Sequence, residues 1–193
     1  MDRRKVLKLG LSTASGLLVP AVPSVFSAAS AQATSLAFDS RRGPTNSVYY
    51  NGAVFSFLAD SKATGGSYAM YEVLARQGLE PPPHTHTRED EIFYLLEGEI
   101  SFFSGNVKSE AKAGDHVFQP RGQLHGFKLK TPTARVIITV TPGGLEQAYK
   151  SRGTPATSLE LPPPPAAPPT AEQIAATAKF FAEQYGLFFA PPS

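Results

Sequence analysis

The chain of 193 residues contains no cysteine. That absence removes disulfides, thiolate nucleophiles and cysteine-rich zinc sites together, so any metal ion must be held by nitrogen and oxygen. Charge is also scarce: 18% of residues are Asp, Glu, Lys or Arg, below the usual ~25%. The formal net charge of +2 comes from the first residues, where Arg3, Arg4, Lys5 and Lys8 outweigh Asp2 by three. Without them the chain is slightly acidic, and no basic patch of the kind nucleic-acid binding needs is present. Histidine is limited to four residues. Against these shortages, 41% of residues are hydrophobic, enough for one packed core in a chain of this length.

Three regions are distinguished by composition. Residues 1–33 read as a cleaved export signal: a basic start, an apolar uncharged stretch from Leu9 to Phe26, and the small-residue ending Ala31-Gln32-Ala33. The pair Arg3-Arg4, with Leu7 and Lys8 at the expected offsets, resembles the twin-arginine signal. An exported, periplasmic or extracellular protein is expected, with no stable membrane span once the signal is cleaved. That pathway carries folded proteins, so a metal would be installed in the cytosol, before copper or zinc outside could compete.

Residues 34–153 are expected to form a β-barrel. Strands are predicted at Val48–Leu58, Ser67–Ala75, Glu91–Leu96, Glu99–Phe103, Val107–Ala111, His116–Gln119, His125–Lys130 and Arg135–Val140, separated by turn residues such as Thr64-Gly65-Gly66 and Ser104-Gly105-Asn106. Residues 154–193 change character. Leu161-Pro162-Pro163-Pro164-Pro165 and Pro168-Pro169 form a stiff arm. Thr170 and Gln173 then fit a capping box opening a helix, with Ile174, Ala178, Phe181 and Tyr185 on one stripe and Gly186 at its end. The stripe is expected to pack on the barrel or on a sister subunit, leaving room for a homodimer; a lid over the site is the alternative.

His84 and His86 are two apart in an extended segment, so both imidazoles point to one face. Glu91 shares its strand face with Phe93 and Leu95, and a carboxylate placed there is costly unless a cation or dense hydrogen bonding compensates. His125, on the face of Phe127 and Leu129, supplies a third nitrogen. Three imidazoles and a carboxylate suit one divalent transition ion, iron, manganese, nickel, cobalt, copper or zinc, and suit calcium poorly. His116 opens its strand as a partly exposed residue outside this set. Glu89, Asp90, Glu97 and Glu99 are expected to be solvated or in turns.

The spacing is specific. Gly78, five residues, His84-x-His86, four residues, Glu91, six residues and Gly98 reproduce the first cupin motif. Gly114, five residues, Pro120-x-Gly122, two residues and His125 reproduce the second, with Leu129 where an asparagine often closes it. The chain thus resembles the cupins, which implies an all-β double-stranded β-helix (jelly-roll barrel) with His84, His86, Glu91 and His125 as metal ligands. The stretch from His84 to Tyr94 is similar to single-domain quercetin dioxygenase-like cupins. That likeness implies a small flavonol-like or other enolic aromatic substrate, ring-opened by dioxygenation, with Glu91 as general base. Tyr68, Met70, Phe93, Phe118 and Phe127 are expected to line a cavity for a flat molecule, ordinary core packing being the alternative. The fold also hosts metal-dependent isomerases and lyases and non-catalytic binding proteins, so these remain open at this point.

Overall fold

In a computed structural model, residues 42–190 are described; the expected export signal and its expected cleavage point lie outside them. A short 3-10 turn, Pro44–Asn46, leads into β1 (Ser47–Tyr50), β2 (Ala53–Ala59) and β3 (Ala69–Arg76). Then follow β4 (His84–His86), β5 (Asp90–Glu97), β6 (Glu99–Ser104), β7 (Val107–Lys112), β8 (His116–Gln119), β9 (His125–Leu129) and β10 (Thr133–Thr141). The chain continues through α1 (Glu146–Arg152), β11 (Thr154–Pro155), α2 (Ala171–Tyr185) and β12 (Leu187–Phe189).

The strands form two antiparallel sheets, one of order β11-β1-β2-β3-β10-β5-β8 and one of order β12-β4-β9-β6-β7. From β3 to β10 the chain crosses between the sheets at every step except the β6–β7 hairpin, the layout of an all-β double-stranded β-helix. The core lies between them. Alternation explains why: on β5, Glu91, Phe93 and Leu95 are buried while Tyr94 faces out, and on β10, Ala134, Val136, Ile138 and Val140 are buried in turn. Phe93 from the larger sheet meets Phe102 and Phe127 from the smaller at centroid distances of 5.0 and 5.6 Å, filling one part of the interior with edge-on rings.

Three elements differ from the sequence reading. Val48–Leu58 is not one strand but a hairpin, because Asn51 (φ 48°) and Gly52 (φ 73°) both enter the left-handed region and reverse the chain. The helix α1 went unread. β12, just past the end of the expected helix, has no counterpart among the expected strands and pairs with β4.

The arm lies along the barrel. β11 pairs with β1, and the Tyr49 hydroxyl accepts N–H bonds from Thr157 and Ser158 at 3.2 and 2.9 Å. Arg76 donates to the Pro162 carbonyl at 3.2 Å. The capping box of α2 forms with both bonds, Gln173 N to Thr170 Oγ1 at 3.2 Å and Thr170 N to Gln173 Oε1 at 2.8 Å. Only the second half of the helix packs: Phe181 is buried, whereas Ile174 is 54% exposed. Phe181 meets Tyr149 of α1 at 6.2 Å, and Arg152 covers the Phe180 ring at 4.8 Å. Among the described residues no helix is long and apolar enough to cross a membrane.

Candidate metal centre

β4 presents His84 and His86 to the interior two residues apart, and β9 places His125 directly across from His84. These three imidazoles come from the smaller sheet. Glu91, near the start of β5, faces them from the larger one. All four side chains are buried, and one donor atom from each lies within 4.8 Å of the others.

The histidine orientations are set by what their far nitrogens meet. His84 Nδ1 lies 2.8 Å from the Pro82 carbonyl and His125 Nδ1 lies 3.0 Å from the Gln123 carbonyl. A carbonyl can only accept, so in both rings Nδ1 carries the proton and Nε2 offers a lone pair. His86 Nδ1 faces Glu89 Oε2 at 3.5 Å, a buried carboxylate behind the ring. This is the outer support commonly found behind metal-binding imidazoles.

The inner atoms lack partners. His86 Nε2, His125 Nε2 and Glu91 Oε2 are buried without a hydrogen bond, although Glu91 Oε2 lies 3.8 Å from the first and 3.5 Å from the second. A carboxylate and neutral Nε2 lone pairs facing one another are all acceptors, an arrangement that is unfavourable when buried unless a cation sits among them. The donor set therefore fits a divalent ion.

Burial pushes the His84 imidazolium down to about 4, with Glu91 opposing and the other two rings assisting, so His84 is neutral at physiological pH. For His86 burial acts in the same direction, but the Glu89 and Glu91 carboxylates outweigh it and the net shift is upward. Burial tends to raise Glu91, yet the His125 contact and then its interactions with His86 and His84 outweigh that, and the net shift is downward. The site is poised to keep Glu91 anionic.

Of the five residues expected to line a cavity, Phe93 and Phe127 face the interior and pack on each other. The other three do not. Tyr68 is 39% exposed and Phe118 is 54% exposed, and Met70 lies on the outer face of β3 with Glu72, while Ala69, Tyr71 and Val73 point inward. The charge of Glu72 marks that outer face. Phe118 shares the parity of His116, and both are exposed.

Two further polar side chains sit near the cluster that sequence reasoning passed over. Glu89, expected to be solvated or in a turn, does lie in the turn between β4 and β5 but is only 4% exposed, folded in behind His86. Gln119 is 1% exposed, stands directly opposite Glu91 in the β5–β8 ladder, and leaves its Oε1 unpartnered. Its inward parity was readable from His116, which is three residues earlier on the strand and therefore on the opposite face.

Comparison with known proteins covers this same region. Residues 70–142 match the Cupin_2 family, a cupin domain. The matched stretch contains all four donors. Over 98 residues the chain is 24% identical to quercetin 2,3-dioxygenase of Bacillus subtilis (strain 168), covering 51% of this chain and 29% of that protein. Over 111 residues it is 28% identical to quercetin 2,3-dioxygenase of Aspergillus japonicus, covering 54% and 32%. The chain thus spans about a third of the length of these curated relatives. Among solved structures, an RmlC-like cupin from Shewanella frigidimarina is 22% identical, with a TM-score of 0.47 over 57% of this chain and 92% of that one. The cupin match accounts for β3 to β10; β1, β2, both helices and β12 lie outside it.

Proposed function

We propose that this chain is a metal-dependent cupin that catalyses dioxygenation of a flavonol-like or other enolic aromatic molecule. The observation that carries the metal dependence is the buried meeting of His84, His86, Glu91 and His125, with acceptor atoms facing one another. The substrate class rests on the distant likeness to the two quercetin dioxygenases.

A bound transition ion would supply charge stabilisation for the oxygens of an ionised enol and a place for dioxygen beside it. The protein's own part is distinct. Glu91, held anionic in a dry site, takes the hydroxyl proton of the substrate on its carboxylate. The Nδ1 bonds of His84 and His125 fix the rings so that their Nε2 atoms converge. Gln119, opposite Glu91, offers an uncharged donor and acceptor to a hydroxyl-bearing ligand. The Phe93, Phe102 and Phe127 rings exclude water from that side.

The test is metal analysis of the purified protein followed by oxygen uptake with a panel of flavonols. Uptake that requires the metal supports the reading, and its absence in fully metallated protein overturns the dioxygenase assignment. Turnover without dioxygen would instead mark a metal-dependent isomerase or lyase, and tight binding without product a binding protein. We further propose export through the twin-arginine leader, checked by sequencing the mature N-terminus, with processing near Ala33 expected. A homodimer is proposed on the basis of the arm and partly exposed helix, and light scattering decides it.

A further inference from the structure

Without β12, the strand carrying two of the metal donors would be an edge. In the sheet order, β4 lies between β12 and β9. Its pairing with β9 involves one position, His84 opposite His125. Its pairing with β12 involves all three residues: Leu187 opposite His86, Phe188 opposite Thr85 and Phe189 opposite His84. The alignment of the histidine pair therefore rests more on β12 than on the barrel proper.

Bonds on both sides of β12 reinforce this pairing. Thr87 donates to the Gly186 carbonyl from both its backbone N–H, at 3.0 Å, and its hydroxyl, at 2.9 Å. Arg88 donates to the Gln184 carbonyl at 2.7 Å, and Ala190 N–H donates to the Pro83 carbonyl at 2.7 Å. Gly186 makes the junction feasible. Its left-handed backbone (φ 66°) turns α2 straight into β12, and a Cβ there would collide with Thr87 Oγ1.

Side chains complete the arrangement. The Phe189 ring meets the His84 imidazole edge to face at 5.9 Å and meets Phe181 at 5.8 Å. Phe181 is itself buried. A continuous line of aromatic contact thus runs from α1 through α2 to a metal donor. β12 and α2 themselves lie outside the stretch that matches the cupin domain, while the residues they hold on β4 lie inside it.

We propose that β12 is a working part of the metal centre, with Phe189 as a positioning residue for His84. The proposal rests on the metal reading of the site. The logic is geometric. Two imidazoles separated by one residue converge only while their strand stays extended, and on its other side this three-residue strand has one ladder position, His84 opposite His125, and one bond from the turn before β9, Gly122 N–H to the His86 carbonyl at 2.7 Å, with nothing paired to Thr85. β12 supplies the missing ladder, and Phe189 restricts rotation of the His84 ring. Docking of β12 and binding of metal are then coupled, and each strengthens the other by the same factor.

Cobalt(II) is a suitable probe, because its visible absorption bands report donor geometry while chelator competition reports affinity. In the full chain, Phe189→Ala is expected to weaken cobalt binding about tenfold or more, as outer supports of metal donors commonly do, and to shift the bands. Phe189→Tyr, which keeps the ring, should restore both. Ile174→Ala, on the exposed part of α2, should change neither. In the unaltered protein, cobalt should slow hydrogen exchange at the β12 amides, a measurement that needs no variant to fold. Wild-type affinity and bands in Phe189→Ala, or β12 exchange indifferent to cobalt, would overturn the proposal. An unaltered chain that binds no cobalt would remove the metal reading itself, and this inference with it.

Discussion

In the proposed reaction Glu91 does two things, helping to hold an ion and taking a proton. Replacing it with Gln keeps the shape and removes the charge. We expect Glu91→Gln to lower turnover roughly 100- to 10,000-fold, the range for a lost general base, while metal content measured by elemental analysis falls far less. Parallel loss of both would make Glu91 a ligand alone. Much at this scale was readable from the sequence: the two-residue spacing of His84 and His86 and the shared parity of Glu91, Phe93 and Leu95 are direct consequences of strand geometry. What was not readable depended on folding of a turn or on the choice between two apolar faces. Glu89 looks like a solvated turn residue in Thr87-Arg88-Glu89-Asp90 until the turn brings it behind His86. On β3, Met70 and Tyr71 are equally apolar neighbours, and only the charge of Glu72 distinguishes their faces.

At the scale of elements, the turn Pro120-Arg121-Gly122 is tied to the start of β5. Arg121 grips Asp90 through its backbone N–H at 2.9 Å and through its guanidinium at 3.0 and 2.8 Å. Those bonds hold Asp90 at about 2, below the ordinary 3.8. A folded value lower than the unfolded one adds stability above the ordinary value, lost as pH falls toward the folded one. Asp90→Asn should therefore unfold at a lower temperature than the parent at pH 7, with the gap closing between about pH 4 and pH 2 in thermal melts, as that linkage requires. Gly186 gives a second test. Gly186→Ala must adopt a left-handed backbone against Thr87, and should cost about 1 kcal/mol or more in denaturant unfolding. The helix before it was legible because Thr170 and Gln173 mark its start and Gly186 its end. β12 was not: three residues after a glycine show no alternation long enough to read, and their partner lies far away in the chain. The Asn51-Gly52 turn carried a clear hairpin signal, but the apolar residues flanking it on both sides read as one strand.

For the whole molecule, the two sheets divide the centre between them, with the imidazoles on one and the carboxylate on the other. An ion bound there joins the layers. It should stabilise the fold by about 2.7 kcal/mol at a free concentration one hundred times its dissociation constant. Chelation should accordingly lower the melting temperature and restoring the preferred metal should recover it, as read by scanning calorimetry. A melt unaffected by either would mean that the cluster is an ordinary buried polar group. The barrel was legible as a whole because two spaced motifs and a run of short strands agree. The smaller sheet's outer boundary was not, because it is built by a segment beyond the motifs.

Phe189 follows His84 by 105 positions. At translation rates of about 5 to 20 residues per second, the histidine segment is synthesised roughly 5 to 20 s before its pairing strand. During that interval the nascent chain carries the donors without the strand that aligns them. If β12 docking and metal binding are coupled as proposed, tight capture would wait until synthesis has passed this point.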